Sequence, residues 1–152
     1  MKKYILGLLV LLGVTISAQE SAPKVKTELG IIRGVYEDGV DSFKGIPFAA
    51  PPVGEFRWRA PQPLSHWEGE LDATEYGANC AQSGWGGAPG TISEGSSEDC
   101  LYLNIWKPAD ANTGANLPVM VWIHGGGFVG GSGSGAGIAG DEFAKRGVVL
   151  IT

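Results

Sequence analysis

The sequence predicts an α/β protein whose sheet is largely parallel towards its end, and three observations predict it. The run Val119-Met120-Val121-Trp122-Ile123 is apolar at every position and ends in glycines, as a strand covered on both faces of a parallel sheet would be. Asp141 to Arg146 reads as a short helix capped by Asp141, with Lys145 and Arg146 near its negative end and Gly147 as a left-handed stop; Val148 to Thr152 then reads as the next buried strand. Strand, glycine loop, helix and strand make a βαβ unit. Upstream, Val25 to Phe48 alternates partially around Asp38-Gly39, which is a hairpin signal.

The remaining elements follow in order. Met1-Lys2-Lys3, an apolar run from Tyr4 to Ile16, and Ser17-Ala18-Gln19 have the anatomy of a secretory leader, so residues 1–18 are expected to be a signal peptide cleaved after Ala18. A retained anchor is the alternative, but the run is short for a bilayer span and no later segment approaches that length; no membrane contact is expected after cleavage. Export, to the medium or the periplasm, places Cys80 and Cys100 in an oxidising compartment. That favours a bridge between them over two buried free thiols, and closing the loop is worth about 3 kcal/mol.

Pro47 to Pro63 holds five prolines with Trp58, so an irregular segment packed by its own aromatics is expected. Cys80 to Ser97 is rich in glycine and serine and reads as a loop. Asp99 to Trp106 alternates Leu101, Leu103 and Ile105 against Tyr102, Asn104 and Trp106, the period of a strand that Pro108 stops. Because the sequence ends inside a predicted buried strand, residues 19–152 are expected to be the N-terminal portion of a larger domain.

Composition bounds the function. Of 152 residues, 43% are apolar and 18% charged, a globular balance. A net charge of −5 argues against nucleic acid, whose phosphates reward clustered Lys and Arg. The 25 glycines are concentrated between Gly84 and Gly147, which implies close backbone approaches or flexible loops there.

His124-Gly125-Gly126-Gly127-Phe128 follows the apolar strand directly. Successive glycines let backbone N–H groups converge on one point, and such a point stabilises an anion. In ester hydrolysis the charge develops on the carbonyl oxygen, and this tetrad is the oxyanion element of α/β-hydrolase lipases and esterases. Three readings compete. Gly125, Gly127 and Gly130 match a dinucleotide fingerprint, but Gly131-Ser132-Gly133-Ser134-Gly135 continues as a loop where that motif needs a helix. A phosphate loop lacks its Gly-Lys-Ser/Thr. A purely structural glycine turn is the third.

Glu98-Asp99-Cys100-Leu101-Tyr102-Leu103-Asn104-Ile105-Trp106-Lys107-Pro108 resembles the second signature of the type-B carboxylesterase family, which includes the cholinesterases. Gly45-Ile46-Pro47-Phe48-Ala49-Ala50-Pro51-Pro52-Val53-Gly54, Phe56-Arg57-Trp58, and Trp67 to Thr74 are similar to its earlier blocks in the same order. The resemblance runs from about Leu29 to the end. It implies the N-terminal part of an α/β-hydrolase fold: the early hairpin region and the first strands of a central, mostly parallel sheet. It further implies Gly126 and Gly127 as oxyanion N–H donors, Cys80 and Cys100 as the family's first disulfide, and Arg57 with Glu98 as a buried structural ion pair.

The nucleophile's G-x-S-x-G elbow is absent, since neither Ser132 nor Ser134 has glycines two positions away on both sides. His66 and His124 precede any possible nucleophile, whereas this fold's order is Ser, acid, His. The expectation is therefore an ester hydrolase acting through a serine acyl-enzyme on small-molecule esters, without cofactor or metal, of which these residues supply the oxyanion hole and are inactive alone. A cholinesterase-like binding or adhesion module that has lost the serine is the alternative, and a dinucleotide-binding protein the less favoured third. No residue pattern points to an oligomeric state.

Overall fold

A computed structural model describes residues 21–83, 87–88 and 91–152. The expected leader and its cleavage point lie outside the described residues. The first strands, β1 (Lys24–Lys26) and β2 (Ile31–Arg33), pair antiparallel, and β5 (Glu70–Asp72) joins β2 in parallel to complete a three-stranded sheet.

The larger sheet begins with β3 (Val35–Glu37) and β4 (Val40–Pro47). They form the predicted hairpin, Glu37 opposite Val40, turning through Asp38 at φ 47° and Gly39 at φ 80°. Left-handed backbone at both turn residues matches the twist of the flanking strands, and Asp-Gly is a pair that tolerates it. Next come β8 (Tyr102–Pro108), β10 (Val149–Ile151) and β9 (Val119–Val121), in the spatial order β3-β4-β8-β10-β9.

Only the β9–β10 pairing in that sheet is parallel; β3–β4, β4–β8 and β8–β10 are antiparallel. The described sheet is thus mixed, with parallel character confined to its β9 margin. Between β9 and β10 lies α1 (Asp141–Ala144), shorter than the expected 141–146. It stops early because residues 145–147 close in a tighter turn ending at Gly147, φ 80°, and at its start Gly140, not Asp141, holds the cap position. Two-residue strands β6 (Asn79–Cys80) and β7 (Ser96–Ser97) pair within the expected loop.

Consecutive residues of β8 belong to different clusters, so one cluster packs on each face of the sheet. On one face Ile105 and Leu103 meet Phe43, Ile46, Ile32 and Ala73; on the other, Trp106 meets Val40, Ala144 and Tyr76. A methyl group on Gly140 would stand 2.7 Å from the Trp106 ring, so glycine lets the chain entering α1 lie directly on the indole.

Two expectations fail here. Val119 to Ile123 is exposed, not covered on both faces, because β9 is the edge of the described sheet and touches β10 alone. Trp58 is 97% exposed, in left-handed backbone, instead of packing its proline-rich segment. No helix among the described residues is long and apolar enough to cross a membrane.

Candidate functional site

The glycine loop leaves β9 through Trp122, whose N–H still bonds Ile151 O at 2.8 Å, so the ladder to β10 fixes where the loop starts. Gly126 (φ 138°), Gly127 (φ 57°) and Phe128 (φ 60°) are left-handed in succession. Gly126 O then accepts from Val129 N at 2.9 Å and Gly130 N at 3.3 Å, closing a tight turn. A Cβ on Gly126 would overlap Gly130 O, so the turn requires glycine at this position for space as well as for φ.

Among the described residues, neither the Gly126 N–H nor the Gly127 N–H has an acceptor. Both glycines line a cleft of about 440 Å³ together with Cys80, Gln82, His124 and Gly131. Successive amides in a left-handed turn form an anion-binding concavity, and these two have no competing internal bond.

His124 turns back on its own loop: Nδ1 donates to Gly125 O at 2.7 Å, which assigns the proton to Nδ1. The ring thereby orients the Gly125–Gly126 peptide, whose N–H is that of Gly126. Ser132 Oγ donates to Ser134 O at 3.1 Å and accepts from Ser134 N at 3.3 Å, a local turn. His66 is exposed and is not among the residues that line the cleft. Residues 130–135 contain no helix, so the dinucleotide fingerprint lacks the element its third glycine must open. No group of three or more His, Cys, Asp or Glu among the described residues is placed to hold a metal ion.

Cys80 and Cys100 are joined by a disulfide across Cα atoms 4.9 Å apart. Arg57 and Glu98 pair at 2.5 Å, but their side chains are 54% and 42% exposed. The expected buried pair is thus a surface one, because both partners sit on irregular segments at the rim that no described element covers. A pair so solvated is worth at most about 1 kcal/mol.

The sequence reading missed two amide side chains. Asn104, buried in the middle of β8, accepts from Gly45 N at 2.9 Å and donates to Gly133 O and Thr152 Oγ1, both at 3.0 Å. It joins the bulge of β4, where Gly45 is left-handed, to the far end of the glycine-rich loop. The signal was available: a lone polar residue inside an apolar strand needs partners if buried. Gln82 binds Gly131 from 49 residues away, and nothing local announces that contact. Nearby, burial pushes the Tyr102 hydroxyl pKa up, and donation to Asp99 Oδ1 at 2.9 Å adds to the shift.

The profile of the Carboxylesterase family matches residues 21–152. Fumonisin B1 esterase of Sphingopyxis macrogoltabida is 45% identical over 141 residues, covering 91% of this chain and 26% of that protein. Para-nitrobenzyl esterase of Bacillus subtilis is 46% identical over 128 residues, covering 84% of this chain and 26% of that one. Among solved structures, a para-nitrobenzyl esterase superposes with TM-score 0.73 at 43% identity over 87% of this chain and 26% of its own. A Geobacillus stearothermophilus carboxylesterase does so with TM-score 0.74 at 45% identity over 85% and 25%. The chain spans about a quarter of the length of the curated relatives it matches.

Proposed function

Because the chain belongs to the carboxylesterase family, we propose that the complete protein hydrolyses small-molecule carboxylic esters through a serine acyl-enzyme, and that these residues supply its oxyanion hole. When a serine oxygen adds to the ester carbonyl, the π electrons move onto the carbonyl oxygen. Fixed N–H donors aimed at that oxygen stabilise the transition state more than the neutral ester. Gly126 and Gly127 are the donors in this reading.

The observation that carries it is the pair of adjacent amides without internal acceptors, held in a left-handed turn beside a cleft. Nucleophile, acid and base belong to chain beyond Thr152 in this proposal. The leader-like start and the Cys80–Cys100 bridge support an exported protein, secreted or periplasmic. No metal or cofactor enters the reading.

The test is to extend the gene's reading frame, express the whole product and assay it with p-nitrophenyl esters and a fluorophosphonate probe. A downstream Gly-x-Ser-x-Gly serine should take the label, and Gly126→Ala should lower kcat by about 10²–10³ with KM little changed. A complete frame without that serine, or a product that never labels, would replace the hydrolase with a binding module.

A further inference from the structure

We propose that Gln82 is a positioning residue for the oxyanion loop, tying it to the Cys80–Cys100 bridge; this rests on the hydrolase reading above. Its side-chain amide pairs reciprocally with one backbone unit: Gly131 N donates to Gln82 Oε1 at 2.6 Å, and Gln82 Nε2 donates to Gly131 O at 2.9 Å. Nε2 also donates to Cys80 O at 2.9 Å. Both donors and the acceptor of the amide are therefore used, and no other residue type offers that set at that length.

Gly131 passes the constraint on. It is packed against the start of the loop so closely that a methyl group there would stand 2.5 Å from Gly125 O and from His124 Nδ1. Holding Gly131 holds the peptide that precedes Gly126. Cys80 is bonded to Cys100, which lies just before β8, so the tether ends on the core. Asn104 grips the same loop two residues further on, at Gly133 O. Two amide side chains thus pin the loop, Asn104 from the buried sheet and Gln82 from the cleft, which Gln82 lines together with residues 124–131.

Gln82 is half-buried and outside both apolar clusters, so its removal leaves the core intact. What changes is the aim of the Gly126 and Gly127 N–H groups, and aim matters most where charge has developed.

The experiment uses the complete gene product, with Gln82→Leu and Gln82→Glu as variants. Gln82→Leu, which loses both donors and the acceptor, should lower kcat about tenfold while KM stays within about twofold. Gln82→Glu keeps an acceptor for Gly131 N but sets a carboxylate against two carbonyls and beside the developing oxyanion, so it should fall further. Affinity for a trifluoromethyl ketone, whose adduct carries the oxyanion, should drop in parallel with kcat/KM, which a loss of folded protein would not produce. Should Gln82→Leu fail to fold, Gln82→Asn, too short to bridge but polar, takes its place with the same expectation. Variants that titrate as fully active, with wild-type kcat and ketone affinity, overturn the proposal. A wild-type product that neither hydrolyses esters nor binds the ketone overturns the hydrolase reading first, and the two failures are told apart by the wild type alone.

Discussion

The β4–β8 half of the large sheet, whose strands mix Asp41, Ser42, Lys44, Asn104 and Lys107 with apolar residues, and its β9 margin, apolar throughout, meet opposite fates. Val40 and Trp106 are 1% exposed and Asn104 2%, whereas Val119 is 60%, Val121 63% and Ile123 85% exposed. The first half is closed by its own neighbours: each face of β8 meets a cluster, and its one buried amide is satisfied on every side. The second half bears the glycine loop and is closed on one edge only. Apolarity therefore reports that a strand is meant to be covered, and pairing decides whether these residues are the ones that cover it. The exposed margin fits the proposal that further chain completes the sheet, and residues 21–152 expressed alone are expected to associate through that edge.

Five measurements test this contrast, each a denaturant melt of the complete protein unless stated. Trp106→Ala should cost about 3–5 kcal/mol, since the indole is the largest fully buried side chain and Gly140 lies directly on it. Replacing both cysteines by serine should cost about 3 kcal/mol through the 20-residue separation that the bridge closes. Asn104→Leu should cost about 1–3 kcal/mol, because the Gly45 N–H would lose its partner in the interior, while Gly133 O keeps only its bond from Thr152 Oγ1.

Val121→Ala separates the two halves most directly. It should cost about 1.5 kcal/mol in the complete protein, where a neighbour covers the strand, and under about 0.5 kcal/mol in a chain ending at Thr152. Equal costs in both lengths would mean that nothing further packs on β9.

The smallest effect is expected at the surface pair of Lys145 with Asp38. The hydrogen bond from Lys145 lowers the Asp38 pKa, so its contribution is present above the unfolded value and is lost as pH falls through the lowered one. The same bond raises the Lys145 pKa, a contribution lost only as pH rises through the raised value. Lys145→Met should leave the neutral-pH melt almost unchanged and flatten its acid and alkaline edges, as thermal scans across pH will show.

What the sequence disclosed follows the range of the forces involved. The Asp38-Gly39 turn was legible because two adjacent residues alone determine it. The strand through Leu103, Ile105 and Trp106 and the glycine tetrad were legible for the same reason, as local period and local steric freedom. Misread features all depend on distant partners. Asn104 reads only as one position on the Tyr102–Trp106 face of an alternating strand, yet it is buried, and Gly45, Gly133 and Thr152 converge on it. Arg57 and Glu98 meet without cover, Trp58 finds no pocket, and β9 has a neighbour on one side only. Gln82 escaped notice because its partner is 49 residues away and an isolated glutamine in a polar loop looks like solvent-facing chain.

The Asn104 junction also sets a clock. Its amide reaches Thr152 across 48 residues, while Gly45 lies 59 residues on its other side. At about 5–20 residues per second of synthesis, roughly 2–10 s separate the emergence of Asn104 from that of the threonine that completes its bonds. Through that interval the Asn104 amide can already hold the Gly45 N–H and, once it emerges, the Gly133 carbonyl, but its bond to Thr152 waits, so β10 is the last piece to close the junction.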